Sequence, residues 1–443
     1  MNQRNFLRLS PAFELLLSRN GIEDLVKTLD GRRDAGATVA GKSLNDPILL
    51  LPDAPLDGVT ATRQLRWKCD SAGNSEKIIF PSESSAKLCG LHSGLPFRED
   101  LMKTKKRVLV PAIVLVLLAA AFAASAPGYH LVNTWKLGGE GGWDYLKVDS
   151  EARRLYISRA TKVMVIDADS GKTVGEIADT PGVHGVALVA EIGKGFTSNG
   201  REDTVSVFDL KTLKTLNKIK VGNRPDAIWY DAATKRVFTF NAGSQDATAI
   251  DAAKGEVVGK IPLGGKPEFA ASDGKGTVYV NLEDKNQLFA LDANKLTVKE
   301  RWPLPGCDEP SGLAMDQKNR RLFVGCGNKV MPIVDADNGK VLASLPIGEG
   351  VDATAFDDQT GLAFASCGEG VLTVVREDAP DKFSVAQNVK TQKGARTMAL
   401  DSQTHQVYTV TAQFGPPPAS TPAQPHPRPS VLPDSFVVLV LGK

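Results

Sequence analysis

The chain has 443 residues, 42% hydrophobic and 23% charged, a composition that excludes a wholly disordered or wholly membrane-embedded protein. Its 53 Lys and Arg against 51 Asp and Glu give a formal charge of +2, but that charge is unevenly placed. Residues 1–101 hold 13 basic and 13 acidic residues, residues 102–107 add four Lys or Arg, and residues 127–443 hold 36 basic against 38 acidic, so the body carries −2 and the basic-protein argument for a nucleic-acid partner falls away.

Residues 1–101 show little sustained periodicity beyond an amphipathic stretch at 11–29. Gly36 to Ser43 fits the spacing of a phosphate-binding loop, but such a loop follows a buried strand and opens a helix, and here residues 30–34 are charged and Pro47 follows closely. A cationic stretch from Met102 to Arg107 then leads into the uncharged apolar run 108–124 and the small residues Ser125 and Ala126. That order of positive, apolar and small residues is a secretory signal peptide in the middle of the chain, which makes Met102 the expected first residue, residues 1–101 a doubtful leader expected to be disordered, and the periplasm or exterior the expected destination. The competing reading is a short inner-membrane anchor, with the body of the chain still on the periplasmic side and residues 108–124, if uncleaved, as the sole membrane contact.

From residue 129 onward the sequence repeats. Apolar runs end at Asp167, Asp209, Asp251, Asp292 and Asp335, spaced 42, 42, 41 and 43 residues apart, and Arg376 continues the series. A second series ends at Asp149, Asp231, Asp273, Asp316, Asp357 and Asp401, with Val189 where the second unit should have its Asp. Each unit reads as four short strands separated by turns rich in Asp, Asn, Gly and Lys. In the fifth unit these are 312–315, 321–325, 329–334 and 341–345. Four-stranded antiparallel units at this period, with no helical segment between them, predict an all-β, seven-bladed β-propeller over residues 127–443. The seventh unit supplies only three strands, and the run 130–137 is the expected fourth, closing the ring.

The unit running from Val221, Gly222 and Pro225 through Arg236 to Asp251, with its G-x-x-P opening and V-x-hydrophobic-x-D close, resembles the YncE-like, YVTN-repeat β-propellers. The resemblance covers residues 129–443 and implies a secreted or periplasmic seven-bladed ring, in a family whose members mostly lack a defined activity.

Propellers bind ligands where the innermost strands begin. The repeat alignment puts Asp144, His184, Asp226, Glu268, Ser311, Asp352 and Arg396 there, a largely acidic ring suited to a divalent cation or a cationic ligand, with Asp226, Glu268 and His184 as candidate metal ligands. Solvated loop starts also tolerate Asp and Glu freely, and Arg396 neutralises part of the ring. A second ring, Arg159, Asn199, Asn241, Asn281, Cys326, Cys367 and Thr411, ends the second strands and is expected around the same mouth. Glu268, Asn199 and Asn241 would suit the metal of a lactonase-like hydrolase, although no nucleophile–base pair accompanies them. Cys307 and Cys326 flank one blade face and are expected to form a disulfide, leaving Cys367 as a free thiol. Eight prolines in the insertion 415–433 favour extended chain on the acidic face, as a lid, a docking arm or an idle loop. The expected function is a monomeric module that binds a small ligand or a protein. A metal-dependent hydrolase or quinoprotein-like redox subunit is the alternative, and no cofactor beyond a divalent cation is implied.

Overall fold

The computed structural model describes residues 128–419 and 429–443. The expectations for residues 1–101, for the apolar segment 102–126 and for the middle of the proline-rich insertion lie outside the described residues. Among the described residues no helix is long and apolar enough to cross a membrane.

Alternating apolar residues and Asp-rich turns fold the chain into seven four-stranded antiparallel sheets. The first strand of each unit is innermost: Leu146–Asp149, Val183–Val189, Pro225–Asp231, Pro267–Ser272, Pro310–Asp316, Val351–Asp357 and Met398–Leu400. These inner strands touch their neighbours in unbroken order round the ring. The fifth unit forms Pro310–Asp316, Arg321–Cys326, Val330–Asp335 and Val341–Pro346, within two residues of the sequence expectation at every boundary. The last blade is made of Met398–Leu400, Val407–Thr411 and Val437–Gly442, completed by His130–Lys136, whose register pairs His130 with Gly442 and Lys136 with Val437.

The aspartate repeats have a local cause. Asp167, Asp209, Asp251, Asp292 and Asp335 end the third strands, and each carboxylate accepts backbone N–H bonds from the turn that follows, such as Ser170 N at 2.8 Å and Lys254 N at 2.9 Å. The inner-strand aspartates cap their turns in the same way and also tie blades together. Asp231 accepts from Ser272 Oγ at 2.6 Å, Asp401 from Arg153 Nη1 at 2.5 Å, and Asp357 Oδ2 lies 2.7 Å from His405 Nδ1.

Seven apolar clusters fill the seven gaps between adjacent blades, with aromatic rings such as Phe208, Phe238, Phe323, Phe364 and Tyr408 fully buried. Packing the gaps lets each blade bury both faces, which a lone four-stranded sheet cannot do. Small side chains on the inner strands leave a central channel of about 530 Å³.

Candidate functional site

Asp144, His184, Asp226, Glu268, Ser311, Asp352 and Arg396 stand at the starts of the seven inner strands, and so at one end of the channel. His184 Nδ1 lies 2.5 Å from Asp144 Oδ2 and 3.4 Å from Asp226 Oδ1. One ligating atom from each of Asp144, His184 and Asp226 falls within 4.8 Å of the others, a spacing that can hold a metal ion. Gly200 makes room for the imidazole: a Cβ there would meet His184 Nε2 at 2.8 Å. Serines on the second strands fix the backbone of the mouth. Ser158 Oγ is 2.6 Å from the His184 carbonyl, Ser366 Oγ is 2.5 Å from that of Arg396, and Ser198 Oγ bonds that of Asp226.

The carboxylates crowd one another. Burial pushes Asp226 up to about 6, with the Asp144 charge adding to it and His184 opposing it. Burial likewise raises Asp352 to about 6 against the pull of Arg396, whose Nη1 is 3.3 Å from Asp352 Oδ1. Glu268 lies well above the usual carboxylate range through burial and the Asp226 charge. Burial alone would lower the His184 pKa, but the Asp144 hydrogen bond and the Asp226 charge outweigh it and the net shift is upward. Asp226 Oδ1 and Glu268 Oε2 are buried without a hydrogen-bond partner among the described residues. A site in which burial and mutual repulsion disfavour the charged carboxylates, and in which two oxygens lack donors, favours a bound cation.

Glu268 was expected beside His184 and Asp226 as a metal ligand, and the structure puts Asp144 in that place. Glu268 Oε1 instead receives the Tyr145 hydroxyl at 3.4 Å, and its Oε2 faces Lys266 Nζ at 3.6 Å, with Glu283 also bonded to Lys266. Ser311 turns to the next blade, its Oγ 3.3 Å from the Asp352 carbonyl. The second ring does not surround the mouth. Asn199, Asn241 and Asn281 are fully buried, bonded respectively to Ser206 Oγ at 2.8 Å, Thr248 Oγ1 at 2.9 Å and the Ser311 carbonyl at 3.0 Å. Arg159 is buried with its guanidinium 3.8 Å from the Phe436 ring centroid. In three blades the residue before the ring position, Ser158, Ser198 or Ser366, bonds the mouth backbone instead, whereas in blade 4 Asn281 itself does so.

Cys307 and Cys326 are joined by a disulfide, and Cys367 is a buried free thiol whose pKa burial pushes up to about 12. The described ends of the proline-rich insertion, Pro417 and Pro429, line a cavity of about 1110 Å³ together with Trp143, Arg396, Phe414 and Leu432, beside the acidic mouth.

Sequence reasoning missed Tyr145. It reaches from blade 1 to Glu268 of blade 4, and its ring lies 5.2 Å from that of Phe269, so the pair partitions the channel just inside the mouth. The signal was present, because the residue after the ring position is Tyr145, Gly185, Ala227, Phe269, Gly312, Ala353 or Thr397, with two aromatics among small residues.

No family model matches the chain. The uncharacterized protein YncE of Escherichia coli O157:H7 is 25% identical over 147 residues, covering 30% of this chain, which thus spans about two fifths (41%) of that curated relative. Among solved structures, Kuenenia stuttgartiensis hydrazine synthase superposes with a TM-score of 0.55 at 18% identity, covering 62% of this chain and 94% of that one. The RRP9 WD40 repeats give 0.60 at 8% identity, covering 71% and 99%. U3-55K gives 0.59 at 9%, covering 70% and 99%. At these identities the structural likeness is one of fold. The resemblance to YncE-like propellers drawn from the repeats is thus supported in sequence over those 147 residues, and the solved structures agree with the propeller fold.

Proposed function

We propose that this propeller is a rigid binding module whose acidic mouth takes up a divalent cation, held by Asp144, His184 and Asp226, and through it a ligand or partner. The observation that carries this reading is the buried, undonated Asp226 Oδ1 beside two further ligating atoms. Mixed carboxylate and imidazole ligands suit Mn²⁺ or Zn²⁺ better than the all-oxygen preference of Ca²⁺. Lactone hydrolysis is the second reading of the same trio, because three protein ligands leave positions open for an activated water.

The test is thermal unfolding of the purified chain in chelator and in Mn²⁺, Zn²⁺ or Ca²⁺. A cation bound at 100 times its Kd stabilises by about 2.7 kcal/mol. The expected result is a clear rise in Tm that Asp226→Asn abolishes. No rise with any of the three ions overturns the reading, and a lactone assay on the metal-loaded protein separates carrier from hydrolase. Export is supported by the signal-like segment 102–126 and by the Cys307–Cys326 bridge, since disulfides persist in oxidising compartments. Mass spectrometry of the mature N-terminus checks it.

A further inference from the structure

Beyond the partition formed by Tyr145 and Phe269, the channel has a different chemistry. Three residues after each mouth position, the seven inner strands carry Lys147, Ala187, Trp229, Ala271, Ala314, Ala355 and Ala399. Five alanines keep the channel open, and the two exceptions meet: Lys147 reaches past blade 2 so that its Nζ lies 5.7 Å from the ring centroid of Trp229 on blade 3. Among the described residues Lys147 makes neither an ion pair nor a side-chain hydrogen bond. Burial lowers its pKa, and only the charge of Asp149 opposes that shift.

Aromatic and apolar side chains, Phe269, Met315 and Phe356 beside Trp229, make up about half of the remaining wall and polar atoms the rest, and the volume of about 530 Å³ is that of a small-molecule site. At the far rim stand Ser150, Gln317, Asp358 and Ser402. A lone ammonium inside a low-dielectric, aromatic-lined channel attracts an anion far more strongly than it would in water, and the uncharged wall around it accepts a flat or aliphatic body.

We propose that the channel is a second binding site, independent of the acidic mouth, for a small monocarboxylic acid with an aromatic or branched apolar body, its carboxylate paired with Lys147 and its body against Trp229 and Phe269. The ligand enters from the rim bearing Ser150 and Ser402, because the opposite mouth is acidic and closed off by Tyr145. The carboxylate of Asp358 lies at that rim, so the ligand's own carboxylate sits deeper, beside the amine.

Benzoate and its neutral isostere benzamide test this by calorimetric titration of the purified full chain in chelator, which keeps the mouth metal-free. Benzoate is expected to bind at least tenfold more tightly than benzamide. Lys147→Met, which keeps the apolar stem, should remove that preference, and Lys147→Arg should retain it. Absence of benzoate binding, equal affinity for the two compounds, or a preference that survives in Lys147→Met would each overturn the proposal. Should Lys147→Met fail to fold, a preference that survives competition by 0.5 M chloride but vanishes on acetylation of the lysines decides for the ion pair, and one that survives acetylation decides against it.

Discussion

Glu377 shows how one side chain can set a pH response far from the mouth. Burial and the neighbouring carboxyl of Asp316 push its pKa from an ordinary 4.5 up to about 7. A raised acid pKa in the folded state means stability that is full below pH 4.5 and lost as pH rises through 7. Glu377→Gln, whose amide can donate to Asp316 without carrying charge, should therefore raise the melting temperature at pH 8 by about 2 °C and flatten the fall between pH 4.5 and 7. Scanning calorimetry at several pH values reads this directly, and an unchanged profile would show that the pair titrates normally. Nothing in the sequence pointed to Glu377, because its partner Asp316 lies 61 positions earlier on another strand of the ring and only folding brings the two carboxyls together.

At the scale of the element, the aspartate repeat was legible because its cause is local. A carboxylate accepting turn N–H groups two and three residues on demands Asp at a fixed place in each unit, and that regularity survives in the chain whatever surrounds it. The same aspartates act across blades where the neighbour supplies a donor, and here the sequence is silent. Arg153 bridges Asp401 of the last blade and Asp169 of the first, at 2.5 Å and 2.7 Å. Asp401→Ala should cost about 2 kcal/mol in urea denaturation, since a charge-assisted bond and a turn cap are lost together. In the Arg153→Ala background the same substitution should cost measurably less, which a double-mutant cycle quantifies. The second ring failed as an expectation for an equally local reason. Counting along a strand places a residue at the right height but says nothing of what its side chain finds there: Asn199 and Asn241 are fully buried and spend their amides within their own blades, and Asn281, equally buried, holds the Ser311 carbonyl of the next blade.

Over the whole molecule, the ring and its closure could be read from repeat spacing alone, since seven units with one strand missing at the end and one spare at the start admit a single economical arrangement. The mouth residues were legible as a ring but not as a cluster. Which three converge depends on the curvature of the channel and on Gly200 leaving room for His184, features that no spacing encodes. The closing strand makes its own prediction. Removing His130–Lys136 exposes one full edge of the last blade and strips cover from the cluster around Trp135 and Tyr408, whose rings stack at 5.9 Å. The shortened chain should unfold in two steps rather than one and self-associate through the bare edge, seen by calorimetry and by light scattering.

That pairing also fixes an order in time. Val437–Gly442 follows its partner His130–Lys136 by some three hundred residues, so the partner is made first and waits for it. Six blades can form from local hairpins as they emerge, but the circle stays open until Val437–Gly442 has been made, and this pairing spans the longest stretch of chain among the described strands. Until that strand appears His130–Lys136 has no edge to join, so the clasp that makes the finished ring rigid also leaves the growing chain pliant.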